Sequence, residues 1–145
     1  MAFLAGETIT AGRLNRLQPA TYRAAATSAL AGAATLADVP GATVTFTSET
    51  ANAVYVVNAV FDYRLTGTPT TLGSGNIHVD GVVQAEFAVF RDGGGSAGTS
   101  ATVTQVYRGT LGAAGSHTIK LVASPVAGQQ INIYSSITVT IYEVA

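Results

Sequence analysis

NAVYVVNAVFDYRL, residues 52–65, is the stretch whose reading decides the fold. Its odd positions are Tyr55, Val57, Ala59, Phe61, Tyr63 and Leu65, and the even positions between them include Asn58, Asp62 and Arg64. An apolar residue at every second position places one continuous hydrophobic face on a pleated chain. A helix would scatter the same residues around its circumference. The stretch therefore predicts a long β-strand with one buried side.

The same period recurs on the C-terminal side. In VVQAEFAVFR (82–91), Val83, Ala85, Phe87 and Val89 share a face, with Gln84 and Glu86 on the other. HTIKLVA (117–123) sets Ile119, Leu121 and Ala123 against Thr118 and Lys120. INIYSSITVTIYEV (131–144) groups Ile131, Ile133, Ile137, Val139 and Ile141. Asn132, Tyr134, Ser136, Thr138, Thr140 and Tyr142 lie opposite. Turn signals fall between these runs: VPGA (39–42), TGTP (66–69), GSGN (73–76), DGGGSAG (92–98), GAAGS (112–116) and PVAGQ (125–129). Asp80-Gly81 is the best short hairpin signal, because a type I′ turn needs positive φ at both central residues. Short strands at such spacing predict an all-β, antiparallel jelly-roll β-sandwich. Residues 24–38, AAATSALAGAATLAD, read as an extended, partly strand-like connection, with a helix as the alternative.

Charge and composition narrow the function classes. The chain has 145 residues, enough for one domain with a real core. Only 10% of residues are charged, against about 25% in an ordinary soluble domain. Such a surface is expected to be covered partly by other chains, so an oligomer is the first inference. Net charge is −1. Arg13, Arg16 and Arg23 against Glu7 make residues 1–23 locally basic by +2, and the remainder carries −3. That is too little positive charge for a nucleic-acid footprint. There are no cysteines, which excludes disulfides and thiolate metal sites. The start MAFLAGETIT lacks the charged and long apolar regions of a signal peptide, and no apolar run is long enough to span a membrane. A protein soluble as synthesised is expected.

AGETITAGRLNRLQP, residues 5–19, stands apart from this β pattern. Thr10 can N-cap a helix over about 11–17, Ile9 and Leu14 occupy the positions of a hydrophobic staple, and Pro19 bars extension. Leu14 and Leu17 share a face. A helix this short is not stable alone in water, so it must pack on its own domain or on a partner. The organisation expected is an arm, residues 1–23, followed by a sandwich, residues 24–145.

AGETITAGRLNRL (5–17) resembles the opening of many tailed-bacteriophage virion proteins: Ala-Gly-Glu, a hydrophobic residue, Thr-Ala, then Leu-Asn and another hydrophobic residue. Gly12 stands where that pattern more often has Ala or a polar residue. The remainder, from LADVPGATVTFTSETANAVYVVNAVFDYRL (36–65) through GSHTIKLVAS (115–124) to ITVTIYEVA (137–145), resembles the jelly-roll domains of phage structural proteins. These are similar in strand plan to the C1q and tumour-necrosis-factor heads, which typically trimerise. The resemblance implies a non-enzymatic virion structural protein, made in the host cytoplasm and displayed on the virion surface. It would be a homotrimeric capsid decoration protein attached to the major capsid protein through Ile9, Arg13, Leu14, Arg16 and Leu17. The alternative it implies is a minor tail or receptor-binding protein, attached to a tail protein and presenting loops such as 92–98 to a host-surface glycan. No cofactor, nucleic acid or membrane partner is expected.

His78 and Asp80 share a strand face, which supplies at most two metal ligands, and His117 has no companion at ligand spacing. Asp62 and Glu86 are the only mid-strand acids that could act as a glycosidase pair, and ordinary surface or interface roles account for them better. DGGGSAG lacks the context of a nucleophile elbow or a phosphate loop. Tyr55 and Tyr63 fall on the apolar face and read as core. Tyr134 and Tyr142 fall on the polar face of the last strand and read as oligomer-interface residues.

Overall fold

The computed structural model describes residues 10–32, 35–90 and 95–144. Strand β4 (Val54–Leu65) falls within NAVYVVNAVFDYRL, and it is the centre of a six-stranded antiparallel sheet. Strand β8 (Ser100–Thr110) pairs with it along one side, from Val54 opposite Thr110 to Arg64 opposite Ser100. Two shorter strands share its other side. β11 (Ser136–Tyr142) pairs with residues 54–60, and β10 (Gln129–Ile131) pairs with residues 63–65. β1 (Ala20–Ala25) borders β11, and β2 (Leu30–Ala31) borders β10.

The second sheet runs β3 (Ala37–Ser48), β9 (Gly115–Ser124), β5 (Gly73–Val79). β6 (Val82–Val83) and β7 (Ala88–Phe90) lie on the far side of β5. The chain passes from one sheet to the other at six of the ten connections between described strands. As a result β1-β11-β4-β8 faces β3-β9-β5-β7, which is a jelly-roll β-sandwich.

The apolar face of β4 is the core. Tyr55, Val57, Ala59, Phe61, Tyr63 and Leu65 are all buried, against Ile77 of β5, Ile119 and Leu121 of β9, and Ile137, Val139 and Ile141 of β11. Burying each large side chain contributes about 1.5–3 kcal/mol. Aromatic pairs bridge the sheets. Tyr22 stacks on Phe46 with ring centres 5.4 Å apart, and Tyr63 stacks on Phe90 at 4.8 Å. The Asp80-Gly81 hairpin forms as the turn chemistry requires, with φ of 50° and 84°.

Several local expectations need correcting. GSGN (73–76) is not a turn but the start of β5. Its glycines allow close packing: a Cβ on Gly75 would lie 2.5 Å from Phe61 Cε1, and one on Gly73 would collide with Gln129 Oε1. VPGA (39–42) lies inside β3, where the register slips between Asp38 and Thr43 and Gly41 takes φ 81°.

The 82–91 run does not keep one strand face. Gln84 turns in, accepting the Tyr55 hydroxyl (3.0 Å) on its side chain and the Asn76 amide (2.8 Å) on its carbonyl. The chain leaves the ladder there and rejoins with Ala88 and Phe90 buried, so Phe87 and Val89 are exposed. Ile133 is likewise exposed, because residues 132–135 form a turn between β10 and β11. Ser135 Oγ accepts the Asp62 N–H (2.9 Å) where the ladder is interrupted.

Residues 24–38 are extended where described, contributing to β1, β2 and β3. The division between residues 23 and 24 falls inside β1, so residues 20–23 belong to the sandwich. Their pairing with β11 is a long-range contact that local sequence does not announce.

Candidate functional site

Helix α1 (Ala11–Leu17) precedes the sandwich. Thr10 is extended (φ −80°, ψ 154°), and its hydroxyl oxygen accepts the Arg13 N–H at 3.3 Å, which satisfies one of the helix's orphan donors. At the other end the Gln18 N–H donates to the Asn15 carbonyl (3.2 Å) before Pro19 stops the helix. No residue of α1 is buried. Leu14 is 51% exposed, and Leu17 and Arg13 are half-buried. Ile9 lies outside the described residues.

Arg16, in the last turn, reaches Glu49 across the end of the sandwich, with Nε 3.8 Å from Oε2. Between helix and sandwich runs a cleft of about 420 Å³, with Tyr22 and Ile141 among its walls and Arg16, Glu49 and Glu143 at its polar rim. Glu143 is itself well held. It accepts the Glu49 N–H (2.9 Å), the Thr50 N–H (3.0 Å) and the Thr50 hydroxyl (2.6 Å). Burial raises its pKa, but these hydrogen bonds and the nearby Arg16 outweigh that and leave it below the usual carboxylate value.

Tyr134 and Tyr142 are both exposed, at 74% and 45%, but they do not meet. Tyr134 sits in the turn before β11 and Tyr142 ends that strand. Seven residues, 135–141, lie between them, and six of these belong to β11 with a rise of about 3.3 Å each. Tyr142 instead joins the outward face of β4. There Val54, Val56, Arg108 and Tyr142 line a hollow of about 280 Å³. The same face carries Val60 and the 54%-exposed Val106, opposite Thr104 and Asn58 respectively. These valines were missed as functional candidates, although the signal was present in the sequence. Three of the even positions of β4 are valine, so the strand is apolar on both sides.

The remaining candidates are dispersed. Asp62 has the outer-face parity of β4, opposite Thr102, yet is only 7% exposed. Glu86 follows β6 and lies near the inward Tyr55 and Tyr107, so the two acids do not flank a common space. Tyr63 and Tyr107 are buried. Desolvation, with each other's proximity for Tyr63, lifts Tyr63 far above the usual phenol pKa. Burial lifts Tyr107 to about 12, with the nearby Ala88 backbone opposing the rise and Glu86 adding to it. Both stay protonated at neutral pH. His78 pairs outward between Val83 and Lys120, whereas Asp80 turns to His117. Among the described residues no three His, Cys, Asp or Glu side chains converge as metal ligands.

No protein-family model matches the chain, and no curated protein matches it. Solved structures do. Murine APRIL aligns with a TM-score of 0.50 at 10% identity, covering 86% of this chain and 99% of that one. A structure of infectious bursal disease virus, Gt strain, aligns at 0.50 and 16% identity, covering 86% of this chain and 33% of the viral one. Dimeric latent PorU from Porphyromonas gingivalis aligns at 0.51 and 8% identity, again over 86% of this chain but only 13% of PorU. At these identities the likeness concerns the fold.

Proposed function

We propose that the chain is a non-enzymatic virion structural protein of a tailed bacteriophage: a homotrimeric capsid decoration protein anchored through its N-terminal arm. The observation that carries this reading is helix α1. It is capped at both ends, none of its residues is fully buried, and it holds Leu14 out to solvent. A seven-residue helix gains little by forming in water. Its cap and its exposed leucine suit a segment completed by a second protein. The same residues carry the resemblance to phage virion openings.

Two further features support assembly. The chain is poor in charge, and the outward face of the six-stranded sheet bears Val54, Val56, Val60, Val106 and Tyr142. A self-associating face of this kind is how a sparsely charged domain stays soluble. In the trimer, three weak arm contacts act together. Linking them raises the effective concentration of the second and third arms, about millimolar for short flexible links, so attachment is firm although each arm is short. Leu14 and Leu17 bury against the neighbouring virion protein, and Arg13 adds charge pairing at the rim.

Imaging intact particles with the chain labelled at its C-terminus tests the assignment. Label at symmetric positions over the head is expected. Label confined to the tail transfers the arm's docking to a tail protein, and the exposed loops to host-surface recognition. Absence from purified particles contradicts the virion role.

A further inference from the structure

We propose that His117 is a pH-sensitive clasp that sets how firmly helix α1 is seated on the sandwich. The inference goes beyond the virion reading and does not depend on it. His117 is only 8% exposed, yet both of its ring nitrogens face acceptors. Nδ1 lies 2.7 Å from Asp80 Oδ2, and Nε2 lies 3.0 Å from the Ala113 carbonyl oxygen. A neutral imidazole carries one N–H and can satisfy only one of them; the imidazolium satisfies both.

The partners decide what is lost on deprotonation. Asp80 is fixed, because its other oxygen accepts the Thr118 N–H (2.8 Å) and its own N–H donates to the Thr118 carbonyl (2.9 Å). A neutral His117 therefore keeps Nδ1–H on the carboxylate, where the hydrogen bond is charge-assisted, and gives up the proton on Nε2. The Ala113 carbonyl then faces a lone pair. Its remaining donor is the Ser48 hydroxyl at 3.4 Å.

That pair of contacts leads to the arm. Ser48 is followed by Glu49, whose N–H is held by Glu143 and whose carboxylate holds Arg16 of α1. The charged groups that bear on His117 are Asp80, from the β5–β6 turn, and Glu143, after β11; Phe46 of β3 covers the ring with centres 5.9 Å apart. Burial disfavours the charged ring. Asp80 and the Ala113 carbonyl outweigh it, and Glu143 adds to them, so the imidazole titrates above its usual range.

The test is residue-resolved NMR of the full chain from about pH 5 to about pH 9, a window spanning the ordinary imidazole value of about 6.5. His117 is expected to titrate above that value, with the amide signals of Ala113, Asn15 and Arg16 moving at the same midpoint. His117→Gln should abolish the shared transition. Should that variant not fold, Asp80→Asn reads the same coupling, with the midpoint lowered and the α1 signals following it. Signals from α1 that stay flat while His117 titrates, or that keep an unchanged transition in the variant read, overturn the proposal.

Discussion

Arg16 Nε lies 3.8 Å from Glu49 Oε2, and this ion pair joins a helix with no buried residue to the end of the sandwich. Both side chains are substantially exposed, so the pair is worth about 0–1 kcal/mol. Arg16→Ala should leave the urea midpoint of the sandwich nearly unchanged and speed amide exchange within residues 11–17. A large drop in global stability would mean that α1 is part of the folded core rather than an arm.

The ionisable clusters at this end set the pH profile. Asp80 and Glu143 have pKa values below their ordinary 3.8 and 4.5, so the stability they contribute is present above those values. It is lost as pH falls through the lowered folded values. For Asp80, burial opposes the shift and the bonds to His117 and the Thr118 N–H outweigh it. His117 is shifted upward, so its contribution is present below about 6.5 and lost as pH rises through the higher folded value. Urea midpoints across pH should therefore form a plateau that declines on both sides. Glu143→Gln should shrink the acid decline, and His117→Gln should flatten the alkaline one.

Gly75 is a packing residue. A methyl group there would press on the ring of Phe61, itself fully buried in the core. Gly75→Ala should cost about 1–3 kcal/mol, the usual range for overpacking, read by denaturant unfolding. A neutral outcome would mean that Phe61 has room to move.

The outward valines make the oligomer testable. Val106→Asp places a charge at the centre of the apolar face beside Asn58. Sedimentation should show trimer for the parent chain and monomer for the variant, with unfolding changed by no more than about 0.5 kcal/mol, since the site is on the surface. A variant that remains trimeric would place the interface on another face.

How much of this was legible before the structure depended on where each residue's reason lay. Tyr55 to Leu65 alternate because each contacts the same core, and that period is local, so β4 and its buried side could be read directly. Asp80-Gly81 was legible for the same reason, its turn geometry being set by two adjacent residues. Gly73 and Gly75 were not, because what requires a missing side chain is Gln129 and Phe61, distant in sequence. Ile133 broke its pattern because the ladder with β4 is interrupted at Asp62, an event visible only when the two strands are paired. Of the arm, the Thr10 cap and the helix bounds follow from neighbouring residues. The Arg16 contact with Glu49 follows from the fold. Tyr134 and Tyr142 share a sequence parity, yet one sits in the turn before β11 and the other ends that strand, since period two specifies a face and not a distance.

The central claim is that the arm attaches a sandwich that stands without it. Deleting residues 1–18 removes α1 and stops short of β1, whose pairing with β11 begins at Ala20. The decisive measurement is incorporation of this truncated chain into phage particles in place of the full chain, with its unfolding transition recorded alongside. The account predicts a cooperative transition close to that of the full chain and no incorporation. Retained incorporation of the folded, truncated chain would contradict it.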